Sequence, residues 1–351
     1  MKNVKKCGLK LSAAVTAIIL TLILAACETS IPLNWRDNIA PEREPFVGEL
    51  NSRGVYVVDV ESGAEVFSKN ETQALSPAST IKIMTALVTL EEIGEDEERL
   101  SELIEVPRVV FAGFDLADPN TQGGSMAGLH TGQSNLTYLD ALYGLMLPSG
   151  NDAANALAYN VGGGSISDFV KMMNDKAAEI GCVNTSITNP HGLLEIDGWS
   201  CAYDMALMAR YAYQKFPLFR EICGTKEYTM PGDYNVRNSN GLMRESENNP
   251  FYREFVRGIK NGALDYTYYL GETDDGVEWI QYDGIANLIS LGAIADEKAV
   301  DGERLYIIAT LEAPYKYGPL GAGEGRLQNC YYDHVDLYDW LIGESVELTD
   351  D

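Results

Sequence analysis

Residues 77–85 read PASTIKIMT and place Ser79 and Lys82 three positions apart. From Ile81 onward apolar residues recur at helical spacing, which predicts a helix that begins near Ser79. On such a helix Lys82 lies one turn above Ser79 and can reach its hydroxyl. A serine becomes a nucleophile when a base takes its proton, and a lysine with a lowered pKa can be that base. Backbone N–H groups at the helix start could also stabilise an oxyanion beside Ser79.

The Ser79–Lys82 pair alone is a weak signal, because a chain of this length holds about one Ser-x-x-Lys by chance. A second candidate motif is Ser149-Gly150-Asn151, in a loop between two predicted helices. The Ser149 hydroxyl could relay a proton to a leaving amine, and the Asn151 amide could hold substrate or pin Lys82. By itself this tripeptide is also typical of an ordinary interhelical turn.

The third candidate motif is Lys260-Asn261-Gly262, at the end of a predicted strand, Phe255–Ile259. If this is an edge strand, it could pair with a peptide substrate. Lys260 could attract a terminal carboxylate, Asn261 could donate a hydrogen bond, and Gly262 would let substrate approach the backbone closely. Alone, the motif also fits a strand-to-loop turn with a solvated lysine.

Taken together, the three motifs match in order the S-x-x-K, S-x-N and K-T-G motifs of penicillin-recognising enzymes. Their flanks resemble the D-alanyl-D-alanine carboxypeptidase family, the low-molecular-mass penicillin-binding proteins, over about residues 50–343. The stretches that carry this resemblance are PASTIKIMT (77–85), YGLMLPSGNDAA (143–154), NPHGL (189–193) and VRGIK (256–260).

The resemblance implies an α/β (α+β) fold of the serine β-lactamase/transpeptidase-like type, with an antiparallel sheet flanked by helices and a helical subdomain. It implies Ser79 as the acylated nucleophile, Lys82 as its base, Ser149 as a proton relay and Lys260 as a substrate binder. The implied substrates are peptidoglycan stem peptides, from which terminal D-Ala is removed, and β-lactams are expected to acylate Ser79 as mimics. No cofactor is implied.

Three departures from the family pattern fall on the pocket for the substrate carboxylate. Asn261 stands where the family usually has Thr, and Ala263-Leu264 replaces a further Thr after the glycine. The family's late carboxylate-binding arginine has only a loosely aligned candidate, Arg326. These departures bear on affinity, rate and substrate identity more than on acylation.

Other function classes stay open at this point. One alternative is a catalytically impaired relative that acts as a cell-wall sensor or scaffold, which Asn261 favours. Another is a β-lactamase, although no deacylating loop Glu of the class A pattern is visible. Endopeptidase or transpeptidase activity would use the same mechanism. His191 is read as structural, and the lone His130 and His334 make a metal site unexpected.

Hydrophobic patterns outside the motifs predict strands at both ends of the chain and helices between them, so the first and last parts share one sheet. A hairpin is predicted around the turn 61–63. The remaining predicted elements are helices Leu136–Leu147, Ala153–Tyr159, Phe169–Ile180, Tyr203–Phe216 and His334–Ile342, and strands Ala286–Leu291 and Leu305–Leu311.

The N-terminus has the features of an export signal. Four lysines precede an apolar run that ends in Leu24-Ala25-Ala26-Cys27, which resembles a lipobox with Cys27 as the lipidated residue. An ordinary signal peptide or an uncleaved anchor are the alternatives. We expect residues 1–27 to be a lipoprotein-type signal, 28–45 a tether, 46–343 the catalytic domain and 344–351 an acidic tail. The protein is then expected on the outer face of the bacterial cytoplasmic membrane, bound through its lipid.

The net charge is −26, and losing the four lysines of the signal makes it −30. This balance excludes nucleic acid as a partner, since no basic patch is present to neutralise phosphates. Four cysteines remain beyond the signal: Cys182, Cys201, Cys223 and Cys330. Their wide spacing indicates neither a zinc site nor a particular disulfide pairing. Oligomeric state is not indicated.

Overall fold

A computed structural model describes residues 43–114, 124–264, 267–273, 276–282, 284–299, 301–314 and 328–343. These residues belong to the second of two units into which the chain divides, Arg36–Asp351. The predicted signal, most of the tether and the acidic tail lie outside the described residues, as do Cys27 and Arg326.

The centre of the fold is a five-stranded antiparallel sheet in the order β2-β1-β9-β8-β5. Strands from the start and the end of the domain are therefore neighbours, as the sequence pattern predicts. The predicted hairpin is the β1–β2 pair, and β5 is an edge strand. The five strands are β1 (Gly54–Asp59), β2 (Glu65–Lys69), β5 (Val256–Leu264), β8 (Ile285–Ala295) and β9 (Glu303–Pro314).

Helices cover both faces of this sheet, because alternate residues of a strand point to opposite sides. On β1, Val55 and Val57 join a buried cluster with Leu337 and Tyr338 of the last helix. Tyr56 points the other way, and its ring meets that of Tyr203 on a central helix. Burial on both faces explains why β8 reads as a nearly continuous apolar run.

The helices fill the middle of the chain and its end, and each predicted helix is present, although the last one begins at Gln328 and not at His334 as expected. They are α1 (Lys82–Ile93), α2 (Glu97–Leu100), α3 (Tyr138–Met146), α4 (Asn151–Val161), α5 (Ile166–Glu179), α6 (Ala202–Lys215), α7 (Pro217–Gly224) and α8 (Gln328–Ile342). Among the described helices, none is long and apolar enough to cross a membrane.

Two boundaries differ from the sequence-based expectation, and both matter for the site. The expected helix start at Ser79 is a 3₁₀ turn, Ala78–Ile81, and the α-helix begins only at Lys82. The expected strand end at Ile259 is wrong as well, since β5 runs on to Leu264 and keeps Lys260-Asn261-Gly262 inside the strand. The long edge strand is possible because β8 pairs with it over this whole stretch.

Two hairpins and the short helices α2 and α7 were not predicted. Their strands are β3 (Glu227–Met230) with β4 (Tyr234–Arg237), and β6 (Thr267–Thr273) with β7 (Gly276–Tyr282). The four cysteines of the domain are buried. The sequence indicated no disulfide pairing, and in the structure all four are free thiols.

Candidate active site

The Ser79 turn sits where the chain passes from a loop into helix α1. Ala78 is fully buried and has φ 47°, in the left-handed region that a side chain rarely adopts. Strain of this kind persists only where surrounding packing imposes it, and it concentrates at functional sites. A 3₁₀ turn aligns residues i and i+3 more closely than an α-helix does, so Lys82 stands directly over Ser79.

The Lys82 amine lies at the centre of the site and is completely buried. Its Nζ is 3.0 Å from Ser79 Oγ, 2.7 Å from Asn151 Oδ1 and 2.6 Å from the His191 carbonyl oxygen. Three acceptors therefore surround one amine. The first and second sequence motifs meet here. Of the two roles considered for the Asn151 amide, the structure shows the contact with Lys82.

The loop Asn189–Leu193 supplies the third contact through its backbone. Thr85, one turn beyond Lys82, donates to the Pro190 carbonyl at 2.6 Å, so adjacent carbonyls of the loop bind one face of α1. Gly192 has φ +84°, and a Cβ there would lie 2.0 Å from the Ala78 carbonyl oxygen. Only glycine fits between this loop and the Ser79 turn.

The Ser149-Gly150-Asn151 motif joins α3 to α4. Ser149 has φ 67°, and a Cβ on Gly150 would lie 2.6 Å from the Gly144 carbonyl oxygen, so the turn is tight. Gly150 caps α4, and Asn151 is its first residue. The Ser149 side chain is buried, and its Oγ has no hydrogen-bond partner within the described ranges.

Asp152 follows this motif and is buried in the first turn of α4. Its carboxylate accepts hydrogen bonds from the backbone N–H groups of Ala127 and Leu129, at 2.7 and 2.9 Å. The backbone N–H of Asn151 donates to the Ser125 carbonyl at 2.8 Å. Asp152 therefore fixes the loop that contains Ala127 and Leu129 against the site, a role that its sequence position did not reveal.

Charges in the site favour a neutral Lys82. Burial, and then the nearby positive charge of Lys260, hold the pKa of Lys82 well below 10.5, although Asp152 opposes this. Burial lowers the pKa of Lys260 to about 7. Burial and Lys82 lower the pKa of His191 to about 3, so its ring is neutral; the ring accepts from the Leu193 N–H and meets Phe114 edge-on.

Strand β5 forms the wall opposite α1. A Cβ on Gly262 would lie 2.8 Å from the Ser79 backbone nitrogen, so this glycine permits the strand to touch the Ser79 turn. Lys260 and Asn261 are both buried, in contrast to the solvated lysine of the alternative interpretation. The Lys260 Nζ donates to the Asn261 carbonyl oxygen at 2.8 Å and lies 3.3 Å from Asn261 Oδ1.

Most candidate residues of the three motifs thus lie around the Lys82 amine and the edge strand β5. What sequence reasoning missed is the His191 carbonyl, which a side-chain motif cannot reveal, although its NPHGL loop was visible as a pattern. Within the described residues no cluster of three His, Cys, Asp or Glu side chains could hold a metal. A serine paired with a desolvated lysine is chemically equipped for acyl transfer through a covalent intermediate.

The fold and the Ser–Lys pair are those of the penicillin-recognising serine proteins. A family model described as D-alanyl-D-alanine carboxypeptidase matches residues 39–266, well over half of the chain. The chain belongs to this D-alanyl-D-alanine carboxypeptidase family.

Curated relatives agree with this assignment. The chain is 32% identical over 220 residues to D-alanyl-D-alanine carboxypeptidase DacF of Bacillus subtilis, covering 62% of this chain and 52% of that one. It is 30% identical over 224 residues to DacC of Escherichia coli, covering 64% and 53%. The chain spans about half the length of these relatives.

Solved structures show the same fold. The Streptomyces K15 DD-transpeptidase matches with a TM-score of 0.61 at 23% identity, covering 84% of this chain and 97% of that one. Penicillin binding protein 5 from Haemophilus influenzae matches with a TM-score of 0.63 at 22% identity, covering 85% and 72%. The antiparallel sheet with flanking helices therefore has the transpeptidase-like architecture that the sequence resemblance implied.

Proposed function

We propose that the protein is a serine-type D-Ala-D-Ala carboxypeptidase that removes terminal D-Ala from peptidoglycan stem peptides through an acyl-enzyme on Ser79. The observation that carries this proposal is the contact of the buried Lys82 Nζ with Ser79 Oγ, Asn151 Oδ1 and the His191 carbonyl. The curated relatives carry the name of this activity.

The three contacts of Lys82 suit a neutral amine acting as base. A neutral amine has two N–H donors and one lone pair. Two of its neighbours, Asn151 Oδ1 and the His191 carbonyl, can only accept, so they take the two N–H groups. The lone pair then faces Ser79 Oγ and can accept the hydroxyl proton, which a charged ammonium could not do.

Acylation then proceeds by addition to the carbonyl and elimination of the amine. As the Lys82 amine takes the hydroxyl proton, Ser79 Oγ bonds to the carbonyl carbon of the penultimate D-Ala. The C–N bond to the terminal D-Ala breaks, and its nitrogen receives a proton. We assign the relay of that proton to Ser149, because its buried hydroxyl has no partner in the described part of the chain. Water later hydrolyses the Ser79 ester.

Strand β5 would hold the substrate. As an edge strand it has backbone groups available to pair with an extended peptide, and Gly262 brings that edge against the Ser79 turn. Lys260 supplies positive charge at this wall. We assign Asn151, Lys260, Asn261 and Gly262 to substrate binding and lysine positioning on these grounds.

The proposed substrate lies outside the cytoplasm, which agrees with the export signal predicted for residues 1–27. We propose Cys27 as a lipidated residue and 28–45 as a tether, with residues 46–343 as the catalytic domain. The acidic net charge of −26 does not oppose this, because a lipid anchor does not depend on basic residues.

Labelling with a fluorescent penicillin tests the acylation chemistry. Wild-type protein is expected to carry one covalent label, and Ser79→Ala is expected to carry none, because among the described residues Ser79 supplies the one hydroxyl that hydrogen-bonds the Lys82 amine. Ser101→Ala, at an exposed serine, is the control and should label fully. Folded wild-type protein that takes no label would overturn the proposal.

Asn261 favours a second candidate, a cell-wall sensor or scaffold that binds such peptides without turnover. The two candidates separate on release of D-Ala from a pentapeptide. Release by wild type but not by Ser79→Ala supports the enzyme, whereas binding without release supports the sensor. Fast turnover of penicillin would instead indicate a β-lactamase.

A further inference from the structure

Hydrogen bonds fix the side chain of Asn261, and this affects which leaving group the site accepts. Its Nδ2 donates to the Ser239 carbonyl oxygen at 3.1 Å, and its Oδ1 accepts from Ser239 Oγ at 2.8 Å. The hydroxyl of Tyr331 donates to the same Ser239 carbonyl oxygen at 3.4 Å. Only 7% of the residue is exposed.

The partners of Asn261 are themselves fixed. Ser239 donates its backbone N–H to the Leu147 carbonyl at 3.0 Å, next to the Ser149 motif. The Tyr331 hydroxyl, on α8, accepts from the Gly241 N–H at 2.8 Å. Rotating the amide toward a substrate would break these bonds inside a buried region, where an unpaired polar group is costly.

Lys260 is engaged by the same residue. Its buried Nζ donates to the backbone carbonyl of Asn261 and approaches the Asn261 side-chain oxygen. A carboxylate that entered here would have to draw the amine away from two oxygens. It would also meet the Asn261 Oδ1, an acceptor that repels an anion.

Resting on the proposed acylation at Ser79, we propose that Asn261 removes this pocket's preference for a free terminal carboxylate. The site then also cleaves bonds in which the leaving residue has its carboxyl in an amide or peptide linkage, so it acts as an endopeptidase beside its carboxypeptidase activity. An amide carries no charge to desolvate, and the Asn261 Oδ1 does not repel it as it repels a carboxylate. The chemistry of the step is unchanged, since Ser79 Oγ forms the ester and the same C–N bond breaks.

Two matched peptides test this inference: diacetyl-L-lysyl-D-alanyl-D-alanine and its C-terminal carboxamide. For each, the acylation kcat/KM is measured on protein whose active sites have been counted with fluorescent penicillin. We expect wild type to prefer the acid by less than about tenfold. Asn261→Thr should raise that acid-to-amide ratio about tenfold, because a hydroxyl can donate a hydrogen bond to the carboxylate.

A second variant covers the case in which Asn261→Thr does not fold. Tyr331→Phe removes a hydroxyl that hydrogen-bonds the Ser239 carbonyl, which is the acceptor of the Asn261 amide, and it should raise the acid-to-amide ratio in the same direction. Tyr332→Phe, at the exposed neighbouring tyrosine, is its matched control and should leave the ratio unchanged.

The outcomes separate this inference from the proposed function. A wild-type preference for the acid above about tenfold, or a ratio that neither variant raises, overturns the role of Asn261 while acylation at Ser79 stands. If neither peptide nor penicillin acylates Ser79, the proposed function fails and the inference fails with it.

Discussion

At the scale of single residues, the sequence predicts the position of Lys82 but not its protonation state. The Ser-x-x-Lys spacing predicts that a lysine can reach Ser79, and the contact of 3.0 Å agrees. The spacing does not reveal why the lysine should be neutral. That depends on burial, on Lys260 from a distant strand and on a backbone carbonyl, all of which arise only when the chain folds.

The pH dependence of acylation tests the neutral state of Lys82. Protonated Lys82 cannot accept the Ser79 proton, so the rate with the carboxamide peptide should rise with pH and level off above the lowered pKa of Lys82. Lys260→Met removes a neighbouring positive charge, which raises the pKa of Lys82 and should move the whole profile to higher pH.

Stopped-flow acylation between pH 5 and 10 measures both profiles with the same peptide. Choosing the carboxamide keeps any loss of carboxylate binding in Lys260→Met out of the comparison. A wild-type rate that falls as the pH rises, or profiles that coincide, would contradict a neutral Lys82 base.

At the scale of elements, the loop before Ser79 is clamped to the sheet. The Ser76 backbone N–H donates to Glu312 Oε1 at 2.8 Å, and the Ser76 carbonyl accepts from Asn287 Nδ2 at 2.8 Å. Asn287 also accepts from the Glu312 N–H at 2.7 Å, and Arg53 pairs with Glu312 at 2.6 Å. These contacts of β8 and β9 position the turn that carries Ser79.

Replacing Glu312 with Gln should therefore slow acylation. The buried carboxylate loses its charge pairing with Arg53, and one amide cannot satisfy both Arg53 and the Ser76 N–H. We expect the penicillin acylation rate to fall about tenfold, because small displacements of a nucleophile cost rate steeply. The control is Glu303→Gln on the same strand, at an exposed pair with Arg257.

The two variants are compared by acylation rate and by melting temperature. A fall in melting temperature without a fall in rate would show that the clamp is merely structural.

Sequence patterns predict the strands β8 and β9 but not this clamp, since Ser76 and Glu312 are 236 positions apart. The 3₁₀ turn and the full length of β5 were missed for a related reason, because packing across the site decides both.

At the scale of the whole molecule, a buried network of hydrogen bonds joins α8 to the central sheet. His334 Nδ1 lies 2.7 Å from Ser290 Oγ, and its Nε2 lies 2.9 Å from Thr310 Oγ1 and 3.2 Å from the Leu288 carbonyl. A carbonyl only accepts, so Nε2 carries the proton and Nδ1 accepts from Ser290. Burial lowers the pKa of His334 to about 3, so this network needs a neutral ring.

Acid should therefore unfold the wild type partly through His334. Its pKa is 6.5 in the unfolded chain and about 3 in the fold, so below pH 6.5 only the unfolded state gains the proton. Stability from this group is complete above pH 6.5 and declines as the pH falls toward 3, by up to about 1.4 kcal/mol per pH unit.

His334→Gln checks this dependence. The variant is less stable at pH 7, because it loses hydrogen bonds of the ring, but the difference from wild type should shrink between pH 6.5 and pH 4.5. Urea unfolding at several pH values measures it, with His130→Gln as a control at an exposed histidine. A difference that stays constant over this range would contradict a neutral, buried His334.

The sequence predicts the whole molecule well where hydrophobic period and family motifs carry information. The shared sheet of first and last strands and its helical cover are confirmed, and residues of the three motifs lie close together in the structure. The hairpins β3–β4 and β6–β7 were not predicted, and each forms a separate two-stranded sheet. The burial of Lys260 and Asn261 was not predicted either, because the polar sequence Lys260-Asn261-Gly262 does not indicate that it lies inside a strand.

The most direct test of the central claim is mass spectrometry of the protein mixed with a D-Ala-D-Ala peptide, followed by mapping of the acylated residue. We expect a peptidyl ester on Ser79, one D-Ala released for each ester that forms, and neither product from Ser79→Ala. A folded wild type that releases no D-Ala, or that carries its acyl group on another residue, would contradict this claim.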